Sequence, residues 1–212
     1  HPGYIPTTVW HPDSYIVDEH RVTLRPDIPP VAFKLQVGLY ERDTVKRLGD
    51  AELPQLIHVL PKHPLQLKDI PHRLKARFGE RIWLLGYEVG NNDGAMNLTL
   101  YWQASERPLE DFQVFVHLVD AEGRILSQAD GPPHGGLYFT STWWPGQIIA
   151  DSRRITVPTD AYPVALQVGL YHLATMQRLP AVREDGSAWV NDAVIIPLGL
   201  EYRGGTIRVA HH

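Results

Sequence analysis

One twelve-residue phrase is written twice: "VGLYERDTVKRL" (Val37 to Leu48) and "VGLYHLATMQRL" (Val168 to Leu179), with seven of twelve letters identical. A period is read before anything else, because it fixes how many structural units a chain can hold. Upstream, "HPGYIPTTVWHPDSYIVDEHRVTL" (His1 to Leu24) lies against "HGGLYFTSTWWPGQIIADSRRITV" (His134 to Val157), with nine of twenty-four positions identical. Those identities include Trp10/Trp143, Ile16/Ile149, Asp18/Asp151 and Arg21/Arg154. The blocks are offset by two residues across a Pro-rich turn, where insertions are tolerated. The second copy is preceded by "RIWLLGYEV", "AMNLTLYWQA", "FQVFVHLVD" and "GRILSQAD", and residues 1–62 hold no counterpart. The expectation is one complete unit and one partial repeat.

The segments of the longer copy alternate. In "NLTLYWQA", Leu98, Leu100 and Trp102 point one way, and Asn97, Thr99, Tyr101 and Gln103 the other. Val114, Val116 and Leu118 likewise oppose Phe115, His117 and Val119. Period two with β-branched and aromatic enrichment means strands. Eighteen Pro and seventeen Gly punctuate them at short intervals. The predicted fold is all-β, an antiparallel β-sandwich of immunoglobulin-like or jelly-roll-like kind. Glu122 to Arg124 and Asn91 to Gly94 read as hairpin turns. The predicted organisation is a partial repeat over 1–62, ending in a strand at 56–60. A basic linker with a short helix near Leu74 follows over 63–77, then a complete sandwich over 78–212.

Composition narrows the function. A formal net charge of -4 without a dense basic block excludes a nucleic-acid footprint. The chain has no Cys, which excludes disulfides, Cys-ligated zinc and thiol catalysis. No apolar run approaches the roughly 18–20 residues of a membrane span. His at position 1 suggests a processed or excised chain. A half-unit with few strands exposes an edge and an apolar face. It is expected to pack on the complete unit, or to form a homodimer through the open edge.

Together, "LLGYEV", "LTLYWQA", "FQVFVHLVDAEGRILSQADGPP", "TSTWWPGQIIAD" and "LQVGLYHLATMQRLP" resemble a known module. It is the extracytoplasmic C-terminal β-sandwich of bacterial protein-mannosyltransferase or ArnT-like membrane glycosyltransferases. The resemblance covers Leu84 to Pro180, and His1 to Leu48 as a partial copy. It implies an extracytoplasmic, non-catalytic appendage of a membrane protein, with the enzyme's metal- and lipid-phosphate-dependent core lying elsewhere. A glycan or a glycan-bearing acceptor is the implied ligand. It carries over no functional residue.

The candidate residues follow from chemistry. "TWWPG" offers Trp143 and Trp144 on opposite sides, and an exposed indole can stack on a sugar ring. Trp144 is the better platform, since Trp143 is the repeated one. Tyr138 and Tyr101 extend the aromatic set. His117 and Asp130, next to "GPPHGG", form the minimum for a polar pocket. Asp151 and Asp18 are the repeated carboxylates. They are candidate Ca²⁺ ligands, set against ion pairs with Arg21/Arg154 or Arg47/Arg178. The expected cofactor is otherwise none. No H-E-x-x-H, G-x-S-x-G or phosphate-cradling loop occurs. The function classes set against each other are an accessory glycan-binding module, a structural module that docks protein, and a hydrolase.

Overall fold

A computed structural model describes residues 9–24, 31–61, 63–92, 95–203 and 206–209. The fold is all-β with antiparallel sheets, as the alternation predicts. β1 (Ala32–Tyr40) and β2 (Arg47–His58) form a hairpin. One sheet follows the order β11-β3-β4-β5-β8, from β3 (His72–Phe78), β4 (Ile82–Asn92), β5 (Ala95–Ala104), β8 (Ile148–Thr156) and β11 (Ala181–Arg183). The facing sheet follows β10-β9-β6-β7, from β6 (Phe112–Val119), β7 (Ile125–Gln128), β9 (Ala165–His172) and β10 (Gln177–Arg178). β12 (Val194–Pro197) also pairs with β9. β13 (Leu200–Arg203) and β14 (Thr206–Val209) close a last hairpin.

The core lies between the two large sheets. β5 turns Met96, Leu98, Leu100, Trp102 and Ala104 inward, all buried, against Val114, Val116 and Leu118 of β6 and Leu166, Val168 and Leu170 of β9. Trp102 packs between Phe78, edge-on at 5.6 Å, and Trp143 at 6.4 Å. Such offset aromatic contacts add to area burial.

β6 is buried on both faces, although period two assigns one face to solvent. Its outer face carries Gln113, Phe115, His117 and Val119, each under 9% exposed. Phe115 lies across β9 at Gly169, where a built Cβ would sit 2.3 Å from the ring. The Arg178 guanidinium covers the ring at 4.3 Å. Glycine is required at 169 because nothing larger fits beneath that ring.

The expected linker is corrected. Residues 72–78 are strand β3, paired with β4 and β11, so Leu74 lies in a strand and not in a helix. Arg73, Lys75 and Arg77 disguise a period-two strand whose other side holds Ala76 and Phe78, fully buried. Lys75 reaches Glu184 at 2.9 Å. Among the described residues, the only helical piece nearby is the single 3₁₀ turn Leu67–Asp69. The expected turn at Glu122 to Arg124 is present, with Gly123 at φ 79° donating its N–H to the Asp120 carbonyl. In the other, Asn91 and Asn92 belong to β4, and residues 93–94 lie outside the described residues.

The two sequence blocks of the repeat behave differently. The phrase around Tyr40 and Tyr171 keeps its geometry: Tyr40 pairs with Arg47 across β1–β2, and Tyr171 with Arg178 across β9–β10. Both turns place a non-glycine residue in the left-handed region at the same step, Val45 and Met176, each at φ 55°. In each, the following N–H meets the Thr44 or Thr175 hydroxyl. The upstream block keeps no such match. Residues 148–156 are β8, held by β5, whereas the corresponding residues 15–23 form no strand. Trp10 is 43% exposed where Trp143 is fully buried. A strand needs a neighbour to hold its N–H and C=O groups, and residues 15–23 have none of β5's kind among the described residues.

Candidate functional site

The aromatic candidates do not converge on one surface. Trp143 follows the 3₁₀ turn Thr140–Thr142, and its N–H bonds to the Thr140 carbonyl. Its ring enters the core, and its indole N–H donates to the Tyr138 carbonyl at 2.9 Å. The next residue points the other way. Trp144 is 36% exposed, and its ring stacks on His58 at 4.0 Å with a 14° tilt. One face of the expected sugar platform is therefore occupied by the end of β2. His58 Nε2 is buried without a hydrogen-bond partner among the described residues, and desolvation holds the imidazole below the usual histidine pKa. Val31, fully buried, bridges antiparallel to Trp143. Together these contacts fasten the root of the β1–β2 hairpin to the sandwich.

Tyr138 stacks on His134 at 4.5 Å. Tyr101 lies on the outer face of the other sheet, buried among Ile70, Ile148, Leu85 and Ala150. Its hydroxyl donates to Glu88 at 3.1 Å, and burial first, then that bond and the Glu88 charge, push it up to about 12. Tyr101 is therefore not a solvent-facing stacking surface. His117 Nε2 and Asp130 Oδ2 meet at 3.2 Å, while Asp130 Oδ1 accepts the Val116 N–H at 3.0 Å. Asp130 is thereby engaged in fixing the chain beside β6.

The carboxylates have local partners. Asp151 is fully buried and accepts the His134 N–H at 2.7 Å and the Arg153 guanidinium at 2.9 Å. Arg153 also donates to the carbonyls of Ala129, Gly131 and Pro132. The pair pins the loop 129–134 to β8, as a charge-assisted network that satisfies its own donors can. The partner expected from the repeat, Arg154 or Arg178, is replaced by Arg153; Arg178 donates to the Asn191 carbonyl and covers Phe115. Asp18 meets His20 at 2.8 Å in solvent, at the same two-residue spacing. Among the described residues, no group of three or more His, Asp or Glu is placed to hold a metal. Two adjoining concavities, of about 330 and 390 Å³, share Glu110, Phe112 and Leu179 at one end of the sandwich. His172 lies 3.9 Å from Glu110 there.

The feature that the candidate residues missed is the hairpin itself. β1 carries the sequence of a buried strand, yet Val37 is 58% and Leu39 51% exposed, while their counterparts Val168 and Leu170 are fully buried. β2 occupies the edge of β1 that β10 and β12 occupy on β9. The opposite edge of β9 takes β6, with Val114 opposite Leu170, Phe115 opposite Gly169 and Val116 opposite Val168. β1 belongs to a two-stranded sheet, so that edge has no strand beside it among the described residues. The repeated glycine was the available signal. Gly38 stands where Gly169 receives Phe115, but a Cβ there would meet only Tyr40 at 3.4 Å and the Gly49 carbonyl at 3.6 Å.

No family model, curated protein or solved structure matches the chain.

Proposed function

We propose that the chain is a non-catalytic assembly module that docks another polypeptide along the outer part of the β1–β2 hairpin. The observation that carries this reading is the contrast between exposed Val37 and Leu39 and fully buried Val168 and Leu170 in a repeated phrase. Contiguous exposed apolar surface on a strand edge marks an interaction site. The resemblance to the extracytoplasmic module of membrane glycosyltransferases supports placing that partner in such an enzyme's extracytoplasmic part. The test is a selection of displayed random peptides on the full chain. Enriched peptides are expected to alternate apolar residues and to lose binding to Leu39→Asp. No enrichment, or binders indifferent to Leu39→Asp, would sink the reading.

A second reading keeps one observation: the Trp144 ring is 36% exposed. If it is a glycan platform, a glycan array shows binding by the wild type that Trp144→Ala abolishes. A folded wild type that binds no glycan removes that reading.

A further inference from the structure

We propose that the free edge of β1 is completed by an extended segment of a partner polypeptide with the chemistry of β6. That segment sets apolar side chains against Val37 and Leu39 and an aromatic ring over Gly38, where Arg47 covers it. The inference rests on the docking reading above and names what docks.

Three features of the hairpin carry it. The first is the notch. A strand interior that omits a side chain leaves room for something to lie flat across the backbone. At Gly169 that something is Phe115. At Gly38 it is the hairpin's own Tyr40 ring, 3.4 Å from where a Cβ would stand, and among the described residues no ring from another strand lies there, so a partner's ring takes the seat by turning Tyr40 aside. The second is the cation. Arg178 pairs across from Tyr171 and lies over the Phe115 ring at 4.3 Å. Arg47 holds the same register opposite Tyr40, on the face that carries Gly38, and its guanidinium is half exposed beside Asp50 at 2.7 Å. An electron-rich aromatic face is the complement of that cation. The third is the edge. β1 offers main-chain donors and acceptors to one added strand, and its single charged residue, Lys34, is paired with Glu52. Val37 to Tyr40, the part of the strand around the notch, carries no lysine or proline of the kind that blunts an edge. Strand addition of this type draws affinity from the backbone ladder and selectivity from alternate side chains.

A second copy of the chain is a poorer occupant. β6 of any copy already has β9 on one edge and β7 on the other. A folded second copy therefore offers β6 only by opening its own sheet, and its β1 has glycine where the notch asks for an aromatic ring.

The probe is a capped synthetic peptide spanning Asp111–Ala121, the β6 sequence, titrated into the full chain. Saturable binding is expected. It should weaken at least tenfold with Gly38→Val, and equally when the peptide carries Phe115→Ala. Gly38→Val is expected to fold, since the space above Gly38 permits a side chain, and its unfolding temperature checks this. Gly38→Ala gives the same test with one methyl. Absence of binding, or binding insensitive to both changes, overturns the proposal. So does a dimer, seen by light scattering, that excludes the peptide, because the occupant is then a second copy. If selected peptides bind in a Leu39-dependent way while this peptide does not, docking stands and the β6-like partner falls.

Discussion

Adjacent tryptophans meet opposite fates at residues 143 and 144. Successive side chains of an extended segment point to opposite sides, so one indole fills the core and the other stacks on His58. Trp143→Ala is expected to cost about 3–5 kcal/mol, as for large aromatic truncations in cores, measured by denaturant unfolding. Trp144→Ala should leave the sandwich's unfolding nearly unchanged and instead speed hydrogen exchange at the root of β2. Tyr101 gives a pH signature. Its hydroxyl is raised to about 12 in the fold, against about 10 in an unfolded chain. Its contribution is complete below the unfolded value and is lost as pH rises through the folded one. The wild type should therefore lose stability relative to Tyr101→Phe between those two values. Repetition singled out Trp143 but did not by itself foretell its burial, since its counterpart Trp10 is 43% exposed. The partner of Asp151 was not legible either, because repetition flagged Arg154 while the buried loop carbonyls selected Arg153, whose counterpart in the other copy is His20.

Turns and edges decide which elements form. The repeated Thr and Arg of the phrase proved to be the turn hydroxyl and the cross-strand partner of the Tyr, so that element was written plainly in twelve letters. Val45 is the costly letter within it. A β-branched residue at φ 55° is strained by roughly 1 kcal/mol or more. Val45→Gly is expected to relieve that strain and slow exchange of the β1–β2 amides. Faster exchange would mean that Val45 makes a contact worth more than the strain. β3 was hidden because three basic residues on its outer side read as linker composition. Residues 15–23 erred the other way. Their pattern is that of β8, but a pattern becomes a strand only beside a neighbour, and the neighbour that holds β8 is β5.

Across the whole molecule, the all-β class and the inward faces of β5 and β9 followed from period two alone. The double burial of β6 did not, since it depends on a ring crossing to a glycine about fifty residues away in sequence. That crossing has a consequence for handling. Two strands in one molecule, β9 and β1, present the same glycine to the same ring, and only one of them is served. If warming frees β6 from its own sheet, it can seat on β1 of the next molecule, whose own β6 is then free to do likewise. Such a contact is head-to-tail and need not close, so it propagates as a chain of exchanged strands. Solutions held just below the unfolding transition should grow linear polymers at a rate that rises with concentration. The polymers should dissolve again when the strands are returned by full unfolding and dilution. Gly38→Val, which spoils the borrowed seat and leaves the native one intact, should abolish the polymers without raising the melting temperature.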